Sequence, residues 1–420
     1  MTRCPNNRIG IIDAVIRIGL CQFLGKQMSK NIVILCDGTG NEISENLSNV
    51  LKLYRISEQN EQQVVFYDPG VGTLSSSDPW SRLKSNFHKV LGLATGYGLD
   101  DNVLDAYRFL LDHYEDGDSV YLFGFSRGAY TIRVLAGFLR LVGLLKPTQR
   151  NLCGYAFTAY KRAAEKDDFE IAWRFERVAS TRRVPIKFMG VWDTVSSVIV
   201  PRPDRLYFPS LEQLPYTKTN SYVEVFRHAV ALDERRRMFR LNRWADPQEF
   251  KPNPFDPDPA PPQDIKQVWF AGVHSDVGGG YPEKQSGLAK FSLRWMADEA
   301  VAQGLLISAV MYRHLVLGEE REGGSRKYVA PDCEGQLHNS LNWAWWILEW
   351  LPKRAARREW PERSTLFGFY LPQAEPRLIN EDAIVHHSVF ERGDSVSDYR
   401  PHNLPSRDNV RVEEPAPSNI

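Results

Sequence analysis

A serine hydroxyl becomes a nucleophile when a histidine accepts its proton, and the histidine works best when a carboxylate fixes its tautomer. The sequence holds these three side chains in suitable settings. Ser126 stands in Gly124-Phe125-Ser126-Arg127-Gly128, a G-x-S-x-G pattern; Asp193 follows Trp192; His274 opens His274-Ser275-Asp276-Val277-Gly278-Gly279-Gly280. Before the serine runs Val120-Tyr121-Leu122-Phe123, with the apolar bias of a buried strand. After it, Ile132, Val134, Leu135, Phe138, Leu139 and Leu141 recur at helical spacing. Strand, tight turn, serine and helix together predict a nucleophile elbow, with glycines where other side chains would collide. Ser126 would then sit at a helix N-terminus, where backbone N–H groups favour a developing negative charge.

The roles follow from the chemistry. Ser126 is the expected nucleophile, His274 the base and then acid, and Asp193 the orienter, in the chain order of α/β-hydrolases. The expected oxyanion hole uses the N–H of Arg127 and one from the Gly38-Thr39 loop. Asp37, Asp276 and Trp192, at the ends of the same strands, are assigned to the substrate side, Asp37 also shaping the oxyanion loop. Each assignment has a structural rival. The serine pattern could be a plain Gly-Ser turn, Asp193 a turn cap, and His274 a satisfied strand-end histidine. Asp276 competes as the acid but fits better as organiser of the glycine loop, and His386 or His387 would also respect chain order as the base. Asp37, Asp193, His274 and Asp276 form an alternative metal set, since hard cations favour carboxylates.

These residues need elements to hold them. Asn31–Cys36 (NIVILC), Val64–Tyr67, Val120–Phe123, Ile186–Val191 and Gln267–Val273 read as strands ending in polar, glycine-containing loops. Helical patterns lie at Asp101–His113 and Leu288–Leu306, and a charged helical cover spans 155–183. Seven prolines in 247–262 mark a loop. The alternation predicts an α/β fold with a mostly parallel central sheet covered by helices on both faces. Ligands of such sheets bind at the carboxyl ends of the strands. The expected domain spans 29–405, with a dispensable extension over 1–28 (Met28 reading as the true start) and a disordered tail over 406–420.

Bulk properties narrow the function. Lys+Arg and Asp+Glu each number 52 among 420 residues, which gives no support for a nucleic-acid partner. Five scattered cysteines without a C-x-x-C pair read as reduced thiols. No run is apolar enough to span a bilayer, and Asp13 and Arg17 interrupt the apolar N-terminal stretch that a signal peptide would need. The expected location is cytoplasmic, or outside by a route that needs no signal peptide. LCDGTG resembles the D-x-D-G-T loop of aspartate-nucleophile phosphatases, but Leu35 stands where that nucleophile must be. The glycine runs lack the P-loop lysine and the G-x-G-x-x-G spacing. No cofactor is called for. Trp343, Trp346, Ile347, Trp350 and Leu351 fall at helical spacing, followed by Lys353, Arg354, Arg357 and Arg358. Two readings stand: an interfacial helix making peripheral membrane contact, or an aromatic helix packed on the core, the plainer expectation.

The motifs in sequence resemble one family. ILCDGTGNE, YDPGVGT, LFGFSRGAYTIRVLAGFL, GVWDTV, RHAVALDERRRMF, VWFAGVHSDVGGGYPE, GQLHNSL and IVHHSVFERGDSVSDYRPHNL are similar to segments of the α/β-hydrolases described as catalytic domains of type VI secretion phospholipase effectors. The resemblance implies a Ser126-Asp193-His274 triad and hydrolysis of phospholipid acyl esters. The expected function is a serine esterase or lipase acting through an acyl-enzyme on Ser126. The alternative is a metal-dependent hydrolase or a non-catalytic binding protein on the same scaffold.

Overall fold

A computed structural model describes residues 29–38, 46–70, 98–166, 169–195, 199–201, 209–211 and 214–415; the extension expected over 1–28 lies outside them. The strands β1 (Asn31–Cys36), β2 (Gln63–Asp68), β3 (Ser119–Phe125), β4 (Ile186–Trp192), β5 (Val223–Ala231), β6 (Asp264–Phe270), β7 (Ile384–His386) and β8 (Arg411–Glu413) form one sheet. Its spatial order is β8-β7-β6-β5-β4-β3-β1-β2. Every neighbouring pair is parallel, as the alternation of strands and helices predicts.

Side chains alternate between the two faces of such strands. Ile32, Ile34, Val120 and Leu122 enter one core with the helices α1 (Leu99–His113), α2 (Arg127–Leu141) and α3 (Cys153–Lys166). Val33, Leu35, Tyr121 and Phe123 enter the other, beneath helices spanning 49–56 and 287–302. The five apolar residues Ile132, Val134, Leu135, Phe138 and Leu139 of α2 are fully buried, each contributing about 1.5–3 kcal/mol of apolar transfer. The order reverses at β1, which lies between β2 and β3, and the carboxyl ends of strands beside such a reversal are where sheets of this kind bind ligands.

Three strands depart from the expected pattern. In β5, Glu224, Arg227 and His228 break the apolar run that marks a central strand; buried Arg227 is satisfied by Asp264 at 2.6 Å and Glu299 at 2.6 Å. β7 and β8 have three residues each, too short for periodicity. β8 also corrects the expected tail: residues 411–413 pair with β7, and Lys266 joins Glu413 at 2.8 Å.

The aromatic stretch also differs from expectation. A helix over Trp343–Glu349 exists, but it packs inward through Trp345 and Glu349, while Trp343, Trp346, Ile347, Trp350 and Leu351 are exposed. Core packing is therefore wrong for the residues that suggested it. No helix among the described residues is long and apolar enough to cross a membrane.

Candidate active site

Ser126 occupies the turn between β3 and α2 with φ 57° and ψ −116°, a backbone conformation that bulky residues rarely adopt. Both flanking glycines are required by contact. A Cβ on Gly124 would lie 2.6 Å from the Gly128 carbonyl, and one on Gly128 would lie 2.0 Å from the Cys36 carbonyl oxygen. The turn is held from β4, where the Trp192 carbonyl accepts the Ser126 N–H at 3.1 Å. A plain turn serine at this position would cap its helix. The Ser126 side chain makes no capping hydrogen bond.

Asp193 follows β4 immediately and lies next to that turn. Its Oδ2 accepts from His274 Nδ1 at 2.6 Å, and its Oδ1 accepts the Ala231 N–H at 3.0 Å, which carries the carboxylate across the end of β5. Arg377 grips the other side with two donors, at 2.5 Å to Oδ1 and 3.1 Å to Oδ2. Burial alone would raise the Asp193 carboxyl, but Arg377 and His274 outweigh it and hold the group far below the usual carboxylate range. Burial likewise pushes His274 below its ordinary value against the pull of Asp193, which favours the neutral imidazole a general base must be.

His274 is fixed from further sides. Its backbone N–H donates to Glu234 Oε2 at 3.2 Å, and Glu234 is paired with Arg236 at 2.8 Å. Burial opposes ionisation of Glu234, yet Arg236 brings it down to about 2. Phe125, the residue before Ser126, places its ring centroid 4.6 Å from that of His274, and Phe239 packs edge-on at 4.9 Å. Gly278 exists for this packing, because a Cβ there would stand 1.9 Å from the Phe125 ring. The glycine loop therefore makes room for the protein's own chain. Among the described residues no hydrogen bond joins the Ser126 hydroxyl to His274.

The other expected residues take different places. Asp37 is buried and accepts from Ser48 Oγ, from Tyr67 OH at 2.9 Å and from the Gly38 N–H at 2.7 Å. The Gly38 N–H assigned to the oxyanion is occupied by that carboxylate; Thr39 lies outside the described residues. Arg127 begins α2 beside Ser126. Trp192 is fully buried in the core, which corrects its assignment to the substrate. Asp276 is also withdrawn from the substrate side: Oδ1 meets His338 Nδ1 at 2.6 Å, and Oδ2 accepts the N–H groups of Val273 and His338 at 3.1 Å each. His386 stacks on Phe270 and bonds Ser388, while His387 pairs with Glu391. Asp193 thus joins His274 and neither rival. Of the four candidate metal ligands, Asp193 and His274 bond each other while Asp37 and Asp276 bond other side chains, and among the described residues no cluster of three or more His, Cys, Asp or Glu could hold a metal ion.

Arg377, Glu234 and His338 belong to the site and were not singled out from the sequence. Glu234 and His338 lie in the segments RHAVALDERRRMF and GQLHNSL, but nothing in those segments marks what either residue bonds. Arg377 is 184 residues from Asp193.

Known proteins place this arrangement in context. Residues 30–299 match the family model described as T6SS, phospholipase effector Tle1-like, catalytic domain. An uncharacterized protein of Saccharomyces cerevisiae is 34% identical over 226 residues, covering 50% of this chain and 32% of that protein. A crystal structure of an uncharacterized protein from Pseudomonas aeruginosa superposes with a TM-score of 0.37 and 19% identity, covering 74% of this chain and 51% of that one. The chain therefore spans about a third of the yeast relative and half of the bacterial one. The family match takes in β1 to β6 together with Ser126, Asp193 and His274, and on it the chain belongs to the T6SS phospholipase effector Tle1-like catalytic-domain family.

Proposed function

We propose that the chain is a serine hydrolase of carboxylic esters, with lipid and phospholipid acyl esters as its substrate class. The observation that carries this reading is the 2.6 Å His274–Asp193 bond at the strand ends, beside a serine held at φ 57° whose side chain caps no helix. In this reading the β3–α2 turn is a nucleophile elbow. Ser126 Oγ attacks the ester carbonyl carbon while His274 Nε2 takes its proton. The proton then passes to the departing alcohol as the C–O bond breaks, leaving an acyl group on Ser126. Water, deprotonated by His274, releases the acid and restores the serine. Asp193 stays ionised throughout, held so by Arg377. The Arg127 N–H, at the helix N-terminus, faces the developing oxyanion. Hydrogen bonds between nucleophile and base are commonly long before substrate binds. Family membership supports the lipid part of the proposal.

The test is product analysis on phosphatidylglycerol and phosphatidylcholine in mixed micelles. Free fatty acid and lysophospholipid are expected, with Ser126→Ala slower by on the order of 10⁴-fold or more. Diacylglycerol as the product, or unchanged turnover in Ser126→Ala, would contradict the mechanism.

A further inference from the structure

Nine of the exposed large apolar side chains fall between residues 343 and 371, on the Trp343–Glu349 helix and on a small hairpin of Lys353–Arg354 with Phe369–Tyr370. On the helix, Trp343 is 78% exposed and Trp350, just beyond it, 57%. Leading into the Phe369–Tyr370 strand, Phe367 and Gly368 form a tight hairpin turn bracketed by the Leu366–Phe369 bridge, both with positive φ, and Phe367 is 92% exposed. A bulky aromatic in the left-handed region is unfavourable, and Phe367 buries almost nothing within the fold in return. Single exposed apolar residues need no explanation, but nine within one short segment do.

The charges around this group lean basic. From 343 to 371 five bases (Lys353, Arg354, Arg357, Arg358, Arg363) face three acids (Glu349, Glu359, Glu362). Two of the acids are engaged inward: Glu349 accepts the Arg237 N–H at 2.6 Å, and Glu359 lies 3.2 Å from Arg240. Arg354 and Arg358 are exposed. The patch is also joined to the candidate active site. Trp345, on the inner face of the same helix, packs edge-on against Phe239 at 5.5 Å, and Phe239 packs on His274. Arg237 donates to the carbonyls of Leu348 and Leu351 at 2.6 Å each, clamping the helix end to the loop that carries Glu234.

We propose that the Trp343–Leu351 face and the Phe367 hairpin tip form a docking surface for a bilayer with anionic headgroups. The inference rests on the lipid-ester reading. Tryptophans favour the membrane–water interface, and exposed arginines beside them favour anionic lipid over zwitterionic lipid. The geometry places the docked surface one aromatic side chain away from Phe239 and two from His274, so a lipid withdrawn from the bilayer emerges beside the reacting groups.

The test is co-sedimentation with vesicles of phosphatidylcholine alone and of phosphatidylcholine with phosphatidylglycerol, alongside turnover of a water-soluble short-chain ester. The full chain is compared with Trp346→Ser/Trp350→Ser and, separately, Phe367→Ser, which leaves the helix intact. The wild type should bind the phosphatidylglycerol vesicles more tightly, and less so as salt rises. Each variant should lose about tenfold or more in binding while turning over the soluble ester unchanged. Wild-type protein that turns over the soluble ester but ignores both vesicles, variants that bind as wild type, or a dimer that dissociates in Phe367→Ser without vesicle binding would overturn the docking surface. Vesicle binding without any ester turnover would instead refute the hydrolase reading alone.

Discussion

Arg377 sets the electrical character of the Asp193–His274 pair. A carboxylate that faced only the imidazole would raise the histidine strongly; one already neutralised by a guanidinium raises it less. His274 is faced by Asp193 from β4, by Glu234 and Arg236 from the loop after β5, by Arg377 behind Asp193, and by the rings of Phe125 and Phe239. Removing the guanidinium in Arg377→Met is expected to raise His274, so the acid limb of kcat/KM moves to higher pH. It also leaves Asp193 underpaired in a buried site, a loss of about 3–5 kcal/mol. Arg377→Lys keeps the charge and should keep the limb near its wild-type position while losing the two-donor grip. A pH–rate profile of the folded variants decides this; coincident limbs in all three proteins would remove Arg377 from any electrostatic role.

At the scale of elements, the turn after β3 works because α2 is pressed onto the end of β1. Gly128→Ala would drive a methyl into the Cys36 carbonyl, backbone against backbone, which has no side chain to yield. The expected result is a loss of about 3 kcal/mol in denaturant unfolding together with a displaced Ser126. Stability within about 0.5 kcal/mol of wild type would contradict the close packing. This turn was legible in the sequence, as were the first four strands and β6, because continuous apolar runs ending in glycine loops have few other interpretations. β5 was not: Arg227 and His228 look solvated in sequence, and Asp264, Glu299, Gln267 and the Thr194 N–H, brought in by the fold, satisfy them. The Ser126, Asp193 and His274 positions were readable as strand ends. Arg377 and His338 were not, since a partner 184 or 62 residues away leaves no local pattern. The outward face of the Trp343–Glu349 helix was misjudged because aromatic spacing is the same for a buried face and an exposed one.

Across the whole molecule, the family match ends at residue 299 while the site continues beyond it. Arg377 supports Asp193, Tyr399 OH bonds Asp233 at 3.0 Å, and Asn403 donates to the carbonyls of Leu232 and Arg377. A chain ending at residue 300 would also uncover the edge of β6. Such a truncation should lack a cooperative unfolding transition, and a folded, reactive product would show that the last third is dispensable. The buried ion network gives the molecule a defined acid response. Glu234 is brought from about 4.5 to about 2 on folding, so its contribution is complete above about pH 4.5 and is lost as pH falls toward 2. His274, lowered on folding, adds to the same trend, because the unfolded chain binds its proton first. Stability should therefore fall with acid, and Glu234→Gln should flatten the fall below about pH 4.5; an unchanged slope would exclude Glu234 from it.

The central claim is an activated serine, and labelling with a fluorophosphonate probe tests it most directly. Wild-type protein should be modified on the peptide carrying Ser126, with labelling lost in Ser126→Ala and in His274→Ala and unaffected by a chelator. Folded wild-type protein that takes up no probe, or Ser126→Ala that is labelled as fully as wild type, would contradict the account.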